Sequence, residues 1–320
     1  MASPRVLVTG GAGFIGSHLV DRLVQETCRV TVLDNLSTGR IGNIDGPVVD
    51  GTVRLVEGSV LDPAKVATAV ARVDVVVHLA AVVSVPLSLV DPATTFDVNV
   101  AGTRQVLDRC LADGVKKFIL ISSCAVYGEP RYTPVDELHP TSPLSPYAES
   151  KLEAERLFLK DVVTGLDAVV LRLFNVYGPR QPRSDYAGVI SAFADQLKAG
   201  SPLTIHGDGL QTRDFVHVSD VVEAVWLALN ARGVWGVFNV SSGKAVRILE
   251  LAELMAELVG RDRPTMVFDE PREGDIRHSQ GDFSKAKDVF GYQPRTELRQ
   301  GLKALLDDVT GEERSRAERP

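Results

Sequence analysis

The stretch that most restricts this chain is Val6 to Gly16, VLVTGGAGFIG. A β-branched and aliphatic run enters a turn with Gly10, Gly13 and Gly16, and an apolar helical pattern follows at Phe14, Ile15, Leu19, Val20 and Leu23. At this spacing the first glycine permits a tight turn, the second lets backbone approach a pyrophosphate, and the third lets helix and strand pack closely. The start of the helix then offers unpaired N–H groups to phosphate. Glycine-rich turns have many uses, so the next strand matters. Arg29 to Leu33 ends at Asp34, where a carboxylate can accept hydrogen bonds from both ribose hydroxyls of an adenosine and repels a 2′-phosphate. The unit therefore predicts a bound dinucleotide, NAD rather than NADP.

Strands and helices alternate through the first half. Residues 53–57 read as a third strand, closing at Gly58, Ser59 and Val60 beside the expected adenine edge, and 73–80 as a fourth. The fourth is continuously apolar, as a parallel strand covered on both faces should be. A loop from Ala81 to Asp91 leads into a helix through Phe96, Val100, Val106, Leu107 and Leu111. Lys117 to Ser122 is a fifth strand, Ala148 to Lys160 a strong helix former, and Ala168 to Leu173 a sixth strand. The pattern predicts an α/β fold with a doubly wound parallel sheet.

After Asn175 the texture changes. Residues 178–186 form a loop; then come a helix from Val189 to Ala199, an apolar run Leu203 to Ile205, a helix Val221 to Leu229 and a strand Val237 to Val240. The chain is mainly helical from Ile248, with a strand candidate at Met266 to Phe268 and a charged tail after Thr310 that is expected to fray. A dinucleotide domain over 1–175, rejoined by 214–243, is expected to carry a smaller discontinuous domain from 176–213 and 244–312, leaving 313–320 as the tail. The smaller domain would cover the C-terminal strand ends, where open α/β sheets bind ligands.

The formal net charge of −7, with dispersed basic residues, argues against nucleic acid as a partner. No apolar run is long enough to span a bilayer and no signal peptide precedes the first strand, so the chain reads as cytoplasmic. Its three cysteines, Cys28, Cys110 and Cys124, lack metal-site spacing and suit a reducing compartment. No metal site is expected.

Tyr147 and Lys151, in YAESK, fall on one helix face. A nearby ammonium favours phenolate, so the tyrosine pKa is expected to drop from its ordinary value of about 10. The lysine can also hold a nicotinamide ribose. YxxxK alone is common and reads as a solvated helix face. Ser122 and Ser123, however, end the fifth strand on the edge where the cofactor must lie, and either hydroxyl could bond a reacting alcohol.

With these pieces together the chain resembles the extended short-chain dehydrogenase/reductase superfamily, and within it the nucleotide-sugar 4-epimerases of the UDP-glucose/UDP-galactose type. The likeness runs from VTGGAGFIGSHL through DN at 34–35, HLAA at 78–81, Asn99, SSCAVYG at 122–128, YxxxK and RLFNVYGPRQ at 172–181. It continues to GDGLQTRDFVHVSD at 207–220 and REGD at 272–275. It implies a Rossmann domain holding NAD, a smaller nucleotide-sugar domain, and a homodimer built through a four-helix bundle.

By resemblance, Ser123 is the catalytic hydroxyl, Tyr147 the acid/base and Lys151 its activator. Phe14, Ile15, Asn35, Leu79, Ala80, Ala81 and Asn99 join Gly10, Gly13, Gly16, Asp34, Ser59 and Val60 around the cofactor. Asn175, Arg213 and Arg272 would hold a nucleotide-sugar diphosphate, Asp275 its ribose, and Ser84, Val189 and Ser279 further parts of the substrate. A guanidinium suits phosphate because it offers a planar fork of donors. Read on charge alone, Arg213 would pair with Asp214 or Asp220. His217 and His78 read as structural, His78 satisfying local backbone groups.

Sister families differ mainly beside the catalytic hydroxyl. The 4,6-dehydratases carry an acidic pair in the next two positions, and UDP-glucuronate decarboxylases keep a glutamate at the second. Here those positions are Cys124 and Ala125. Ser59 replaces an aspartate usual in relatives, and Val82 and Val83 replace polar residues after HLAA. Ser279 matches a position beside the sugar C2 substituent, where a small residue leaves room for an N-acetyl group. The expected activity is NAD-dependent interconversion of UDP-glucose and UDP-galactose, extending to UDP-GlcNAc and UDP-GalNAc. The alternatives are a nucleotide-sugar 4,6-dehydratase or a UDP-glucuronate epimerase/decarboxylase of the same superfamily, or a non-catalytic NAD-binding regulatory protein.

Overall fold

The computed structural model describes residues 3–161, 166–182, 188–261, 264–271 and 275–317. Its first six strands are β1 (Arg5–Thr9), β2 (Arg29–Asp34), β3 (Val53–Glu57), β4 (Val75–His78), β5 (Lys117–Ser123) and β6 (Asp167–Leu173). The remaining strands are β7 (Asn175–Tyr177), β8 (Leu203–His206), β9 (Thr212–His217), β10 (Gly236–Val240), β11 (Ala245–Arg247) and β12 (Met266–Asp269). Seven of them make one parallel sheet in the order β10-β6-β5-β4-β1-β2-β3. This is a Rossmann-type doubly wound sheet, with a smaller C-terminal subdomain beside it.

The period-2 alternation of side chains explains why these strands sit between two helical layers. Val6, Val8, Val75, Val77, Ile119, Ile121, Val169 and Leu171 face the core shared with the helices Phe14–Gln25 and Val218–Asn230. Leu7, Val76, Phe118, Leu120, Ala168 and Val170 point the other way, toward the helices Pro63–Val70, Gly102–Asp113 and Pro146–Asp161. At the β10 edge, Glu137 Oε1 accepts the Asn239 N–H at 2.6 Å and Lys285 Nζ donates to Val237 O at 2.7 Å. These charged side chains occupy an edge that could otherwise pair with another chain.

A separate core joins the helices Val189–Ala199, Ile248–Leu258 and Leu298–Ala317 around Phe193, Leu203, Leu251, Met255 and Leu302. Two small sheets accompany it, β11-β9-β7 and β12-β8. The last helix continues to Ala317, through the charged segment whose composition suggested fraying.

Two elements depart from their sequence outlines where they approach the cofactor edge. β4 stops at His78 because Leu79 N–H turns to Thr9 O at 3.1 Å and Ala80 N–H to Thr9 Oγ1 at 3.2 Å. The helix through Phe96 and Leu111 is interrupted by a π-helical turn at Asp97–Ala101, which contains Asn99. Such turns re-aim side chains within a helix. Among the described residues no helix is long and apolar enough to cross a membrane.

Candidate active site

Strand order reverses between β1 and β4, and the glycine turn lies at that switch point. Gly10 has φ of +70°, and a Cβ there would lie 2.9 Å from Ala80 N. A Cβ on Gly16 would lie 2.1 Å from Gly10 O, so helix and strand meet at a distance only glycine allows. Gly13 caps the helix Phe14–Gln25 without a capping side chain, leaving that N-terminus, with Phe14 and Ile15, to other acceptors.

Asp34 is buried at the end of β2. Its Oδ2 accepts Ala12 N–H at 2.9 Å and its Oδ1 accepts Leu36 N–H at 2.8 Å. A Cβ on Gly39 would come within 2.9 Å of Oδ1, so the carboxylate is held closely while its oxygens keep lone pairs for ribose hydroxyls. Asn35, exposed, accepts from Ser37, and Ser59 Oγ accepts Leu61 N–H at 3.1 Å. Val60 is buried, with its carbonyl accepting from Gln105 at 2.8 Å. A charged cradle, an open helix start and a closely packed glycine turn fit an adenine dinucleotide.

Asp34→Ala should weaken NAD binding by about 10–100-fold, the worth of hydrogen bonds to a charged group. Calorimetric titration of NAD measures this, with kcat at saturating NAD nearly unchanged. Finding chiefly NADP in the purified wild type would show instead that Asp34 does not read the ribose.

The chemical residues converge beyond the β5 end. Ser123 starts the tight turn Cys124–Tyr127, and its Oγ accepts Ala125 N–H at 3.2 Å. It also interacts with the Tyr147 hydroxyl, in the sense that favours phenolate. Ser122 points to the opposite face and donates to Glu155. Of the two candidate serines, the structure brings only Ser123 to the tyrosine.

Tyr147 and Lys151 are both buried on the helix Pro146–Asp161. The expected lowering of the tyrosine pKa is not what this site shows. Burial pushes Tyr147 up to about 12, with only Ser123 opposing it. Lys151 Nζ is docked on Ile121 O at 2.8 Å, and burial pushes it down to about 8. Desolvation penalises either charged form, and the ammonium is committed to a backbone carbonyl rather than to the phenol.

Neighbouring groups hold this pair in place. Asn99 clamps Val82, with Oδ1 accepting its N–H at 2.8 Å and Nδ2 donating to its carbonyl at 3.0 Å, and also donates to Ser150 Oγ at 2.9 Å. Ser88, which no sequence signal singled out, accepts Tyr147 N–H at 3.1 Å and donates to Val85 O at 2.7 Å. Ser84 caps the helix Val85–Val90. His78 bridges the Thr9 and Thr103 hydroxyls at 2.7 and 3.0 Å, so side-chain hydroxyls, not backbone groups, satisfy it. His217 caps the helix Val218–Asn230.

On the substrate side, Arg213 and Asp275 form an ion pair with each other, so Arg213 pairs with neither Asp214 nor Asp220. Arg213 also donates to Thr212 O at 2.7 Å. Asp214 instead accepts from Ser242, Gly243 and Gly281, tying three segments together. Asn175 is exposed, Val189 is half-buried at a helix start, and Ser279 is buried with its N–H on Thr212 O at 3.1 Å. Arg272 lies outside the described residues. A cavity of about 890 Å³ opens beside Asp275, bordered by His206, Phe268 and Arg277. Among the described residues no group of three or more His, Cys, Asp or Glu side chains could hold a metal ion.

Residues 6–241 match the family model described as the NAD dependent epimerase/dehydratase family. The chain belongs to that family. It is therefore an NAD-dependent enzyme, as the cradle around Asp34 fits. The UDP-glucose 4-epimerase of Mycolicibacterium smegmatis is 39% identical over 307 residues, 95% of this chain and 97% of that protein. UDP-glucuronic acid decarboxylase 1 of Arabidopsis thaliana is 35% identical over 311 residues, 95% of this chain and 69% of that protein. A solved UDP-N-acetylglucosamine 4-epimerase from Methanobrevibacter ruminantium, in complex with UDP-N-acetylmuramic acid, superposes with a TM-score of 0.91 at 35% identity. That match covers 98% of this chain and 100% of the other. Family membership thus leaves epimerisation, dehydration and decarboxylation to be separated by the site itself.

Proposed function

We propose that this protein interconverts UDP-glucose and UDP-galactose by transient oxidation at sugar C4. The observation that carries this reading is the turn after Ser123. Elimination of water or loss of carbon dioxide calls for a carboxylate there, as the resembling sister families have. This chain places Cys124, whose thiol burial pushes up to about 12, and Ala125 in those positions. Neither offers a carboxylate. The Mycolicibacterium relative named as a UDP-glucose 4-epimerase supports the same reading.

Bound NAD supplies the acceptor and donor of hydride at C4. Tyr147 takes the proton of the sugar 4-hydroxyl and returns it after the 4-keto sugar has turned in the pocket. Ser123 orients that hydroxyl and favours the phenolate, while Lys151 stands one helical turn away as the nearby cation. Arg213, Arg272 and Asn175 grip the diphosphate, and Asp275 the ribose; Ser84 and Val189 border the substrate. The homodimer through a four-helix bundle belongs to this proposal, and sedimentation of the holoenzyme tests it. A coupled assay from UDP-galactose should yield UDP-glucose without added reductant. A stable 4-keto-6-deoxy product, or carbon dioxide from UDP-glucuronate, would transfer the protein to a sister activity.

The N-acetylated pair, UDP-GlcNAc and UDP-GalNAc, is also proposed as substrate. Ser279 is small and buried, and the Methanobrevibacter structure at 35% identity is named for a UDP-N-acetylglucosamine 4-epimerase. Ser279→Tyr should lower kcat/KM for the N-acetyl pair by about 10–100-fold through crowding and spare the glucose pair. Equal loss for both pairs would refute the pocket assignment and leave the epimerase reading standing.

A further inference from the structure

The helix Val85–Val90, in the loop that leads away from β4, is seated by a polar side chain. Of its six residues only Ser88 is buried, while Leu87, Leu89 and Val90 are exposed, so apolar packing does little to hold it. A hydroxyl ties it down. Ser88 Oγ donates to Val85 O at 2.7 Å and accepts the Tyr147 N–H at 3.1 Å. At the start of the helix Pro146–Asp161, Pro146 has no N–H and Ser145 Oγ takes the Ala148 N–H at 3.2 Å. The Tyr147 N–H is thus left to be matched from outside its own helix, and Ser88 matches it.

The carbonyl side of Tyr147 is tied to the same segment by a second route. Ser150 Oγ donates to Tyr147 O at 2.8 Å and accepts from Asn99 Nδ2 at 2.9 Å, and Asn99 grips both backbone groups of Val82. Segment 82–88 and Tyr147 therefore close a ring of hydrogen bonds whose side chains, Ser88, Asn99 and Ser150, are at most 2% exposed. Bulk water hardly competes for such bonds, and a buried N–H left unmatched is costly. Capping a helix does not require a ring that returns to both sides of one residue. We propose that Ser88 is a positioning residue for Tyr147: it locks the helix Val85–Val90, which follows Ser84 on the substrate side, to the backbone that aims the reacting hydroxyl. The proposal rests on Tyr147 being the acid/base of the epimerase reading.

The tie acts through direction rather than charge. Proton transfer needs its two partners within hydrogen-bond reach, and a displacement of about 1 Å can cost on the order of 10²-fold in rate. Without the Ser88 acceptor, the N–H side of Tyr147 comes free and the helix Val85–Val90 loses its one buried residue's hold on the reacting helix. The diphosphate grip assigned to Arg213, Arg272 and Asn175 uses no member of the ring. Neither does the cofactor cradle around Asp34, whose carboxylate is held by Ala12 and Leu36 N–H groups. Loss of the tie should therefore slow the chemical step and leave binding of NAD and of the nucleotide nearly intact.

The test compares Ser88→Ala, which removes the acceptor, with Ser88→Cys, which keeps nearly the same shape and a weak one, in NAD-loaded enzyme below the Tm of each variant. With UDP-galactose as substrate, Ser88→Ala should lose about 10–100-fold in kcat while KM stays within about threefold, and Ser88→Cys should fall between it and the wild type. In protein labelled with nitrogen-15 at tyrosine, the Tyr147 amide is assigned by its loss in Tyr147→Phe. That amide should exchange with deuterium about tenfold faster in Ser88→Ala. Faster exchange with a wild-type kcat would make Ser88 a helix cap and nothing more, and so overturn the proposal, as would a loss confined to KM. Where Ser88→Ala does not fold, Ser88→Cys decides in the same way, a wild-type kcat overturning the proposal. A wild type that made no UDP-glucose would remove the epimerase reading instead, and the amide exchange would still decide whether Ser88 holds Tyr147.

Discussion

Tyr147→Phe should abolish nearly all epimerase turnover, by about 10²–10⁴-fold in kcat, the range that a positioned acid/base supplies. The Tyr147 hydroxyl is the proton-carrying group set beside Ser123, while both ring nitrogens of His78 are already engaged by the Thr9 and Thr103 hydroxyls. The substitution should not disturb the scaffold. Tyr147 N–H stays on Ser88 Oγ, Ser150 Oγ stays on Tyr147 O, and Ser123 Oγ keeps the Ala125 N–H. Tm and UDP-sugar affinity should therefore be close to wild type, so that the loss lies in kcat and not in KM. Ser123→Ala should be damaging to a lesser degree, because water can replace part of a hydroxyl's role. Near-normal kcat in the NAD-bound Tyr147→Phe enzyme would remove the proposed mechanism.

Gly16→Ala should remove retained NAD. An alanine Cβ would stand 2.1 Å from Gly10 O and 2.8 Å from Gly11 Cα, both backbone atoms that cannot swing aside as a side-chain end could. The turn and the helix start must then separate, at an overpacking cost of about 1–3 kcal/mol or more, and the cradle for the pyrophosphate opens. Acid extraction and quantification of NAD per chain gives the readout, with thermal unfolding alongside. Gly42→Ala is the control, because nothing lies within 4 Å of a Cβ there and its backbone does not require glycine. A Gly16→Ala protein carrying the wild-type amount of NAD would show that this turn does not hold the cofactor.

Much of this molecule was legible from short-range pattern. The glycine spacing, the carboxylate ending β2 and the alternating apolar strands follow from local backbone sterics and from side chains that change face at every residue. Those rules act over a few residues, so a sequence displays them directly. The resemblance to nucleotide-sugar epimerases added the proposed reacting set; its tyrosine meets Ser123 in the fold, and its lysine docks on Ile121 O.

What the chain could not display was how distant segments share one buried volume. Ser122 and Ser123 are equivalent as letters. Tertiary packing separates them, because Ser122 is taken by Glu155 while Ser123, the last residue of β5, is left to Tyr147. Arg213 found Asp275, 62 positions away, rather than the neighbouring Asp214, whose oxygens were already taken by Ser242, Gly243 and Gly281. The direction of the Tyr147 shift also reversed: a cation four residues away predicts an easier phenolate, but enclosure makes the charged ring costly and directs the ammonium to Ile121 O. Periodicity and spacing are short-range properties that one segment carries by itself. Desolvation and the choice of hydrogen-bond partner depend on everything packed around a group, and they exist only once the chain has folded.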